Sequence, residues 1–453
     1  MSQSRVWIAK NIGFPLQKII KKTSIIKKLD FLKESQFWDE DKIHEYQLTK
    51  LKSIIDYSAK NVPYYEQLFK KIKLNSDDIK SIKDINKIPI LTKEILQKEG
   101  SNMVSRMINP KLVKKGKTGG TTGVPTIYYK DTNNRSFTWA SYYRWYEWMG
   151  LNYYDPVATF WGAKTVLSTS LKSKIKSDFT SFIQNNIILN SFNINEEMAN
   201  SYYKTISKLR PYLIKGYMSS MLDFAKFVEK NKWEFCELKA ISTTTENLLP
   251  NNREYLERVF KVPVFDQYGC GEISAISYEC SKHNGLHINQ EHVICEILDN
   301  DNNPILNQSG RVITTDLDNY VMPFVRYENG DMATLTDRKC TCGVNQPLME
   351  SIDGRSIDTI TLNNGSKVHG VFFTDILFEI GILSDEFRKF QIVQNKIDSI
   401  EFRLETQKPL DPRKKEKLLI SLKRFIDNVK YIEVDKIEKQ PNGKFKYIIN
   451  NTI

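Results

Sequence analysis

The spacing of hydrophobic and polar residues changes along this chain and predicts a different kind of structure in each part. In residues 36–110 the apolar side chains of Leu48, Leu51 and Ile54 recur at the period of an α-helix. Thr92 precedes a second helical pattern and is the expected N-cap of that helix. This part of the chain is therefore predicted to be mainly helical.

Residues 120–320 alternate short β-branched runs with helical patterns. Strands are predicted at residues 157–160, 187–189, 213–217, 240–244 and 262–265, and helices at residues 219–230 and 251–260. Such alternation is typical of parallel strands joined by helical crossovers. From residue 285 to residue 336 the pattern becomes β-rich and hairpin-like, with a turn at residues 299–302.

After Gly354 and Arg355 the pattern restarts as a smaller unit of about 100 residues, an ordinary size for a domain. The predicted fold class is α/β, with a large N-terminal α/β domain at residues 1–353 that includes the β-rich part as a subdomain. Residues 354–453 are predicted to form a small C-terminal α+β domain.

Composition sets broad limits on what the protein is. With 453 residues, of which 40% are hydrophobic and 26% charged, the chain is long enough for two or more globular domains. No apolar run reaches the roughly 18 residues that a membrane-spanning helix needs, and lysines interrupt the apolar runs near the N-terminus. The six cysteines are too few for a disulfide framework in a chain of this size, so the cytoplasm is the expected compartment.

The formal net charge of +12 does not predict a nucleic-acid partner, because the lysines are spread along the whole chain without a nucleic-acid motif. The basic extension at residues 1–35 is a local exception. Its residues 16–32 form a basic amphipathic pattern, which favours one of two arrangements. The segment either makes peripheral contact with the inner membrane face or forms a helix that packs on its own protein.

A loop rich in glycine and threonine is the leading candidate for ligand binding. Glycines allow backbone N–H groups to turn toward an anion, and hydroxyls add further donors. Because the loop lacks the Gly-Lys-Ser/Thr ending of a Walker loop, its pattern alone leaves two interpretations, a cradle for nucleotide phosphates or a hairpin turn. The loop consists of Thr118, Gly119, Gly120, Thr121, Thr122 and Gly123.

Further motifs follow along the chain. Residues 265–272 end a predicted strand in a Tyr-Gly turn that presents a carboxylate, at the strand end where open α/β sheets bind ligands. The other motifs lie at residues 322–331, 352–355 and 440–444. Each alone reads as an ordinary turn or solvated loop. In this order, together with residues 118–123, they resemble the adenylate-forming superfamily of acyl- and aryl-CoA ligases. The resemblance is greatest to its phenylacetate–CoA ligase branch and the CapK-like members associated with polysaccharide biosynthesis.

This resemblance implies an adenylate-forming ligase fold with a mobile C-terminal lid, and a role for each motif. Residues 118–123 would contact the β- and γ-phosphates of ATP. Tyr268 would lie against the adenine, and Thr245 and Glu246 would line its other side. Asp331 would bind the ribose, and Arg355 would reach the ribose or a phosphate. Glu272 would bind Mg²⁺, and Lys444 would bridge the substrate carboxylate and the α-phosphate.

The implied reaction forms an acyl-adenylate from ATP and a carboxylic acid, releases pyrophosphate, and passes the acyl group to coenzyme A. Two alternatives stay open: transfer to an amine in capsular or O-antigen polysaccharide biosynthesis, and a non-catalytic nucleotide-binding relative. The chain departs from the family at Gly271, where a hydroxyl residue is usual, and at Gly119, where serine is usual. Residues 160–163 and 216–218 are candidates for the wall of the acyl pocket.

The cysteines give a separate signal. Cys340 and Cys342 form a short knuckle, and Cys280 lies in a polar loop with His283 and His287. Two cysteines from a knuckle with a cysteine and a histidine from another segment are a ligand set for a closed, structural zinc site. His287 is favoured over His283 because it begins a predicted strand, and unrelated reduced cysteines are the alternative.

Overall fold

In the computed structural model of the protein, the described residues are 2–16, 23–109, 113–117, 126–161, 181, 184–191, 194–355, 360–363, 365, 367–368, 370–382, 386–387, 389–406, 408–438 and 445–452. Their α-helices are α1 Ser2–Ile8, α2 Ile25–Ser35, α3 Glu40–Asn61, α4 Pro63–Ile72, α5 Lys93–Glu99, α6 Thr132–Trp148, α7 Glu196–Leu209, α8 Met218–Asn231, α9 Pro250–Phe260, α10 Gly370–Glu379 and α11 Pro412–Lys423.

The first strands of the described residues are β1 Lys114–Lys117, β2 Ile127–Lys130, β3 Val157–Trp161, β4 Asn186–Asn190, β5 Leu213–Tyr217, β6 Ala240–Thr244, β7 Val264–Phe265, β8 Gln267–Tyr268, β9 Ser277–Glu279 and β10 Leu286–Ile288. They are followed by β11 Val293–Leu298, β12 Ser309–Asp316, β13 Tyr327–Thr336, β14 Leu348–Arg355, β15 Ile360–Thr361, β16 Lys367–Val368, β17 Lys389–Lys396, β18 Ser399–Glu405, β19 Asn428–Val434 and β20 Ile448–Asn450.

The helical part predicted between residues 36 and 110 contains α3, α4 and α5; only Val62 separates α3 from α4, and two short 3₁₀ turns lie between α4 and α5. The predicted cap of α5 is confirmed, since the side-chain oxygen of Thr92 accepts a hydrogen bond from the Ile95 backbone N–H at 3.4 Å. Helices α3 and α4 bury Leu51, Ile54 and Tyr65 in one cluster with residues of the antiparallel sheet.

The predicted parallel sheet is confirmed in the order β4-β3-β5-β6-β7, and every pairing in it is parallel. Its last strand begins at Val264 rather than at the expected Val262. Pro263 has no backbone N–H to give to a neighbouring strand, which explains the later start. Helices α7, α8 and α9 supply residues to the cluster on one face, and α2 and α6 to the cluster on the other.

The β-rich part predicted from residue 285 forms an antiparallel sheet in the order β11-β12-β13-β14-β10-β9-β8. The turn between β11 and β12 is built on Asp299, whose Oδ1 accepts hydrogen bonds from the backbone N–H groups of Asp301 and Asn303, both at 2.8 Å. Strand β14 ends at Arg355, so the expected domain division between residues 353 and 354 falls close to the end of this strand.

The smaller C-terminal unit has a four-stranded mixed sheet in the order β19-β18-β17-β20. Its core includes Phe373 of α10, Leu418 of α11 and Phe402 of β18. Contacts with the larger unit include an ion pair between Lys226 and Glu405 at 2.9 Å and a hydrogen bond from Asn252 to the Tyr447 hydroxyl at 2.9 Å.

In the N-terminal extension, α2 packs on the protein itself. Ile25, Leu29 and Leu32 are buried in one cluster with Phe137 and Trp145 of α6. This is the second of the two arrangements that the amphipathic pattern favours, although residues 17–22 lie outside the described part of the chain. A helix with the length and apolarity needed to cross a membrane is not found in the described residues.

A buried ion pair joins α6 to the antiparallel sheet. Arg144 Nη1 lies 2.7 Å from Glu291 Oε1, and the two side chains are 1% and 0% exposed. Glu291 also accepts hydrogen bonds from Ser35 at 2.7 Å and from Gln346 at 2.6 Å. Arg144 donates in addition to Asn289 at 2.7 Å. These contacts link α2, α6 and the sheet, and they pair the buried Glu291 carboxylate with the Arg144 cation.

We expect Arg144→Met to destabilise the protein by about 3–5 kcal/mol, because it leaves the Glu291 carboxylate buried without its cation. Urea unfolding followed by tryptophan fluorescence measures the change. Lys261→Met is the matched control, because Lys261 and Glu234 form an exposed pair, 73% and 74% accessible, whose loss should leave the unfolding midpoint unchanged. Equal shifts in the two variants would contradict the assigned role of the Arg144–Glu291 pair.

Candidate active site and metal cluster

The predicted phosphate loop joins the two strands of a β-hairpin. Strands β1 and β2 pair antiparallel, with Lys117 opposite Ile127. Residues Thr118, Gly119, Gly120, Thr121, Thr122 and Gly123 lie outside the described residues, as does Lys444. The backbone of Arg355 pairs with that of Asp331 between β14 and β13.

Tyr268 and Asp331, predicted to contact the two ends of the adenosine, are direct neighbours. The Tyr268 hydroxyl donates to Asp331 Oδ2 at 2.8 Å, and Asn329 Nδ2 donates to the Tyr268 oxygen at 2.6 Å. Asn329 also accepts the backbone N–H of Asp331 at 3.0 Å. Burial and the Asp331 carboxylate raise the pKa of the Tyr268 hydroxyl well above its ordinary value, so the hydroxyl remains a donor.

Glu272, the predicted magnesium ligand, is buried behind the same turn. Its Oε1 accepts a hydrogen bond from the Tyr327 hydroxyl at 3.1 Å, and its side chain is covered by the β13 strand. Burial, followed by the Glu272 charge, raises the pKa of Tyr327. Carboxylate oxygens are the ligands that hard divalent cations such as Mg²⁺ prefer.

Thr245 and Glu246 follow the carboxyl end of β6. Thr245 has a φ of +78°, a left-handed conformation that is costly for a β-branched residue and is found mostly at functional sites. The Glu246 carboxylate accepts hydrogen bonds from the Ser219 backbone N–H at 2.7 Å and from its hydroxyl at 3.0 Å. It therefore holds the first turn of α8, where a negative charge also complements the helix dipole.

The other contact of Glu246 reaches the C-terminal unit. The backbone N–H of Phe445 donates to Glu246 Oε1 at 3.0 Å, and Phe445 follows Lys444 directly in the chain. Burial raises the pKa of the Glu246 carboxyl, while the hydrogen bonds from Phe445 and Ser219 oppose that shift. The predicted contact of Glu246 with adenine stays a prediction, and its observed role is to bind the chain beside the predicted catalytic lysine.

The four predicted zinc ligands are brought together. The candidate ligand atoms of Cys280, His287, Cys340 and Cys342 all lie within 4.8 Å of one another. Cys280 Sγ is 3.6 Å from Cys340 Sγ, and Cys342 Sγ is 3.3 Å from His287 Nε2. A cluster of this size and composition matches a tetrahedral site for one zinc ion.

The surroundings of the cluster suit metal ligands. Backbone N–H groups two residues on, those of Lys282 and Val344, point at the sulfurs of Cys280 and Cys342, each at 3.4 Å. The Nδ1 atom of His287 lies 3.2 Å from the Gln346 carbonyl oxygen, a contact that would leave Nε2 to face the cysteines. Burial lowers the pKa of His287 to about 4.

The choice of His287 over His283 agrees with this geometry. His283 Nδ1 lies 3.2 Å from Glu279 Oε2 and 3.1 Å from Arg253 Nη1, and it is not among the clustered ligand atoms. His287 lies near the Cys340–Cys342 knuckle because it belongs to β10, which pairs with β14, the strand that follows the knuckle.

Sequence reasoning missed three polar residues of the site. Asn329 lies in the motif that contains Asp331, and Ser219 lies in a helix that the sequence identifies only by its apolar residues. Lys130 is buried at the end of β2, where its Nζ donates to Ser274 Oγ at 2.6 Å and where burial lowers its pKa. The sequence signal for Lys130 is its position at the end of the apolar run that follows the predicted phosphate loop.

The chain is similar to known proteins over most of its length. The family described as the CapK C-terminal domain matches residues 360–451. The chain is similar to protein CapK of Staphylococcus aureus, at 25% identity over 90% of this chain and 89% of that protein. It is also similar to the phenylacetate–coenzyme A ligase of Pseudomonas putida, at 24% identity over 81% of this chain and 82% of that enzyme.

Comparison with solved structures agrees with the fold. A 2-hydroxyisobutyryl-CoA ligase in the postadenylation state has a TM-score of 0.75 at 17% identity, with 92% of each chain covered. The amide bond synthetase McbA from Marinactinospora thermotolerans has a TM-score of 0.53 at 13% identity, with 74% of this chain and 68% of that chain covered.

The fold is that of the adenylate-forming ligases, as the structural comparisons and the mixed α/β architecture show. The homologues of this chain include CapK and the phenylacetate–coenzyme A ligases, and its residues 360–451 match the CapK C-terminal domain family.

We expect Glu246→Ala to release the segment that follows Lys444. Removing the carboxylate removes the acceptor of the Phe445 N–H, so hydrogen exchange at that amide should become at least about 10-fold faster. Hydrogen–deuterium exchange with mass spectrometry measures the change, and the peptide that covers β19 is the internal control. Unchanged protection at Phe445 would mean that the contact does not hold this segment in solution.

Proposed function

We propose that the protein is an AMP-forming ligase that activates a carboxylic acid with ATP and transfers the acyl group to coenzyme A. The observation that carries the proposal is the grouping of Tyr268, Asp331 and Glu272 beside the hairpin that bears the phosphate loop. Glu246 supports it, because this residue ties the segment after Lys444 to the carboxyl end of β6.

In the proposed first step, an oxygen of the substrate carboxylate attacks the α-phosphorus of ATP, and the bond to the pyrophosphate oxygen breaks. No side chain forms a covalent bond. Asp331 accepts hydrogen bonds from the ribose, which orients the nucleotide, and Lys444 reduces the repulsion between the carboxylate and the α-phosphate. Mg²⁺ held by Glu272 would neutralise charge on the phosphate oxygens.

The departures from the family pattern leave this chemistry possible. Gly271 in place of a hydroxyl residue removes one donor near the phosphates, and Gly119 removes another. Neither change removes a charge, and Lys130 supplies a buried cation near the same turn. Electrostatic stabilisation by fixed charges is worth more than a single neutral donor.

An amine acceptor is the second candidate for the acyl-transfer step. The structural similarity to an amide bond synthetase favours it, because the same fold there belongs to an enzyme named for forming amides. The identity of the acceptor affects only the second step, in which the acyl group leaves the adenylate. Both candidates share acid-dependent adenylation, and a non-catalytic nucleotide-binding relative would lack it.

Exchange of labelled pyrophosphate into ATP tests the proposal directly. The full-length protein is assayed with aryl, fatty, amino and sugar acids in the presence of Mg²⁺. Exchange that depends on an acid supports adenylation and gives the substrate class, and product analysis with coenzyme A or amines then separates the two acceptors. ATP binding without exchange for every acid would favour the non-catalytic alternative.

Lys444→Ala should lower acid-dependent exchange by about 10²–10³-fold, because the charge that offsets repulsion in the transition state is lost. ATP binding, measured by calorimetry, should change little. Lys436→Ala is the control, since Lys436 is an exposed lysine of the same domain that pairs with Glu438. A parallel loss of ATP affinity and exchange in Lys444→Ala would contradict the proposed role.

We also propose that Cys280, His287, Cys340 and Cys342 hold a structural zinc ion. Four protein ligands would leave no open position for water, so the ion would stabilise the β10–β14 region rather than act on substrate. The support is the ligand set, its spacing, and the backbone N–H groups directed at two of the sulfurs.

Protein purified from zinc-containing medium is expected to carry one zinc ion per chain by plasma mass spectrometry, and Cys342→Ser should lose it. A chelator should lower the melting temperature of the wild type and leave that of Cys342→Ser unchanged, because binding energy at a structural site is folding energy. Cys236→Ser is the control, since Cys236 is exposed and outside the cluster. Equal zinc content in the two variants would exclude the site.

A further inference from the structure

A lysine surrounded by aromatic rings lies on the face of the parallel sheet that α6 covers. Lys215 of β5 donates to the Tyr146 hydroxyl at 2.7 Å. Its Nζ lies 5.7, 5.8 and 5.4 Å from the ring centroids of Trp139, Tyr142 and Tyr146. These four residues, all from β5 and α6, are called the Lys215 cage.

The charge of Lys215 is not balanced by a carboxylate. Among the described residues, no Asp or Glu forms an ion pair with it, and the Tyr146 hydroxyl uses one of its three donors. Two other partly buried lysines differ in this respect, since Lys50 contacts Asp318 at 2.7 Å and Lys226 contacts Glu405 at 2.9 Å. Cation–π contacts hold the ammonium in place without cancelling its charge.

Strand β5 ends two residues beyond Lys215, at the carboxyl edge of the parallel sheet, where open α/β sheets bind ligands. Tyr217 is two residues along β5 on the same face and packs against Trp161 of β3, with ring centroids 4.8 Å apart. Trp139 and Trp161 are 37% and 40% exposed, so part of each indole ring is accessible from solvent.

The chain itself connects the parallel sheet to the nucleotide side. Strand β8, which contains Tyr268, follows β7 of the parallel sheet after a single residue, Asp266. An acid bound against Trp161 and Tyr217 would thus have the Lys215 ammonium at one end of an aromatic wall, with the proposed ATP site along the same sheet edge.

We propose that the Lys215 cage recognises an anionic group of the substrate, remote from the carboxylate that is activated. The inference rests on the proposed adenylation and adds its substrate class: an acid with a second carboxylate or a phosphate group. Aromatic walls contact the carbon skeleton, and the partly buried ammonium pairs with the distant anion where water screens the attraction less. A neutral acid of the same size would leave that ammonium unpaired and so bind more weakly.

Calorimetric binding to the full-length protein tests the inference without catalysis. The probes are hexanoate, 6-hydroxyhexanoate, adipate and 6-phosphonohexanoate, together with the pair benzoate and isophthalate. We expect at least one dianionic acid to bind about 10-fold or more tightly than its neutral-ended partner. Adipate or isophthalate as the tightest ligand indicates a second carboxylate, and 6-phosphonohexanoate indicates a phosphate.

Lys215→Met keeps the length of the side chain and removes its charge. The variant should therefore lose the preference for dianionic acids. Its affinity for neutral-ended acids should stay within about twofold of the wild-type value. Lys239→Met is the matched control. Lys239 lies over the Tyr212 ring at 4.4 Å, just before β6 and so at the opposite edge of the same sheet. This variant should bind every probe as the wild type does.

A wild type that binds no dianionic acid more tightly than its partner would overturn the inference, as would a preference that survives in Lys215→Met. Pyrophosphate exchange with the same acids separates this result from the proposed function. A charge preference in binding without any exchange counts against adenylation and supports the cage. Exchange that favours neutral acids and is unaffected by Lys215→Met supports adenylation and overturns the cage.

Discussion

The buried pair of Arg144 and Glu291 is the interaction on which the rest of the large domain depends. It fixes helix α6 between the parallel and antiparallel sheets, and through Gln346 it reaches the candidate metal cluster, because the Gln346 carbonyl contacts His287. The same helix supplies the aromatic residues of the Lys215 cage. A charge pair without access to water tolerates few alternative arrangements, so it imposes one orientation on α6 and on both neighbouring sites.

The proposed active site lies between two units that must move relative to each other if the family mechanism holds. Glu246 is well suited to such a junction, since a single carboxylate binds the start of α8 and the backbone beside Lys444. The other contacts between the units include Leu249, which is buried in the C-terminal core, and the polar bridges Lys226–Glu405 and Asn252–Tyr447. Polar contacts of this kind can break without exposing a large apolar surface, which allows a lid to open.

Local pattern predicted the parts of this protein that depend on near neighbours. The parallel strands and the Thr92 cap follow from hydrophobic period and from local hydrogen-bonding groups, both of which act over a few residues. The interpretation of the basic N-terminal segment could not be decided in this way. An amphipathic helix has the same pattern on a membrane as on its own protein, and only the observed packing of Leu29 and Leu32 distinguishes the two.

The sequence by itself determined the order of helices and strands, the α/β class and the residues that carry the ligase-like motifs. These features depend on the local hydrophobic period and on the chemistry of individual residues. Only the tertiary structure decided which distant residues meet. Glu246 and Phe445 are 199 positions apart, and Lys215 and Tyr146 are 69 apart. Such contacts depend on how complete elements pack, and a lysine in a strand carries no local sign that a helix far away in the chain will surround it with aromatic rings.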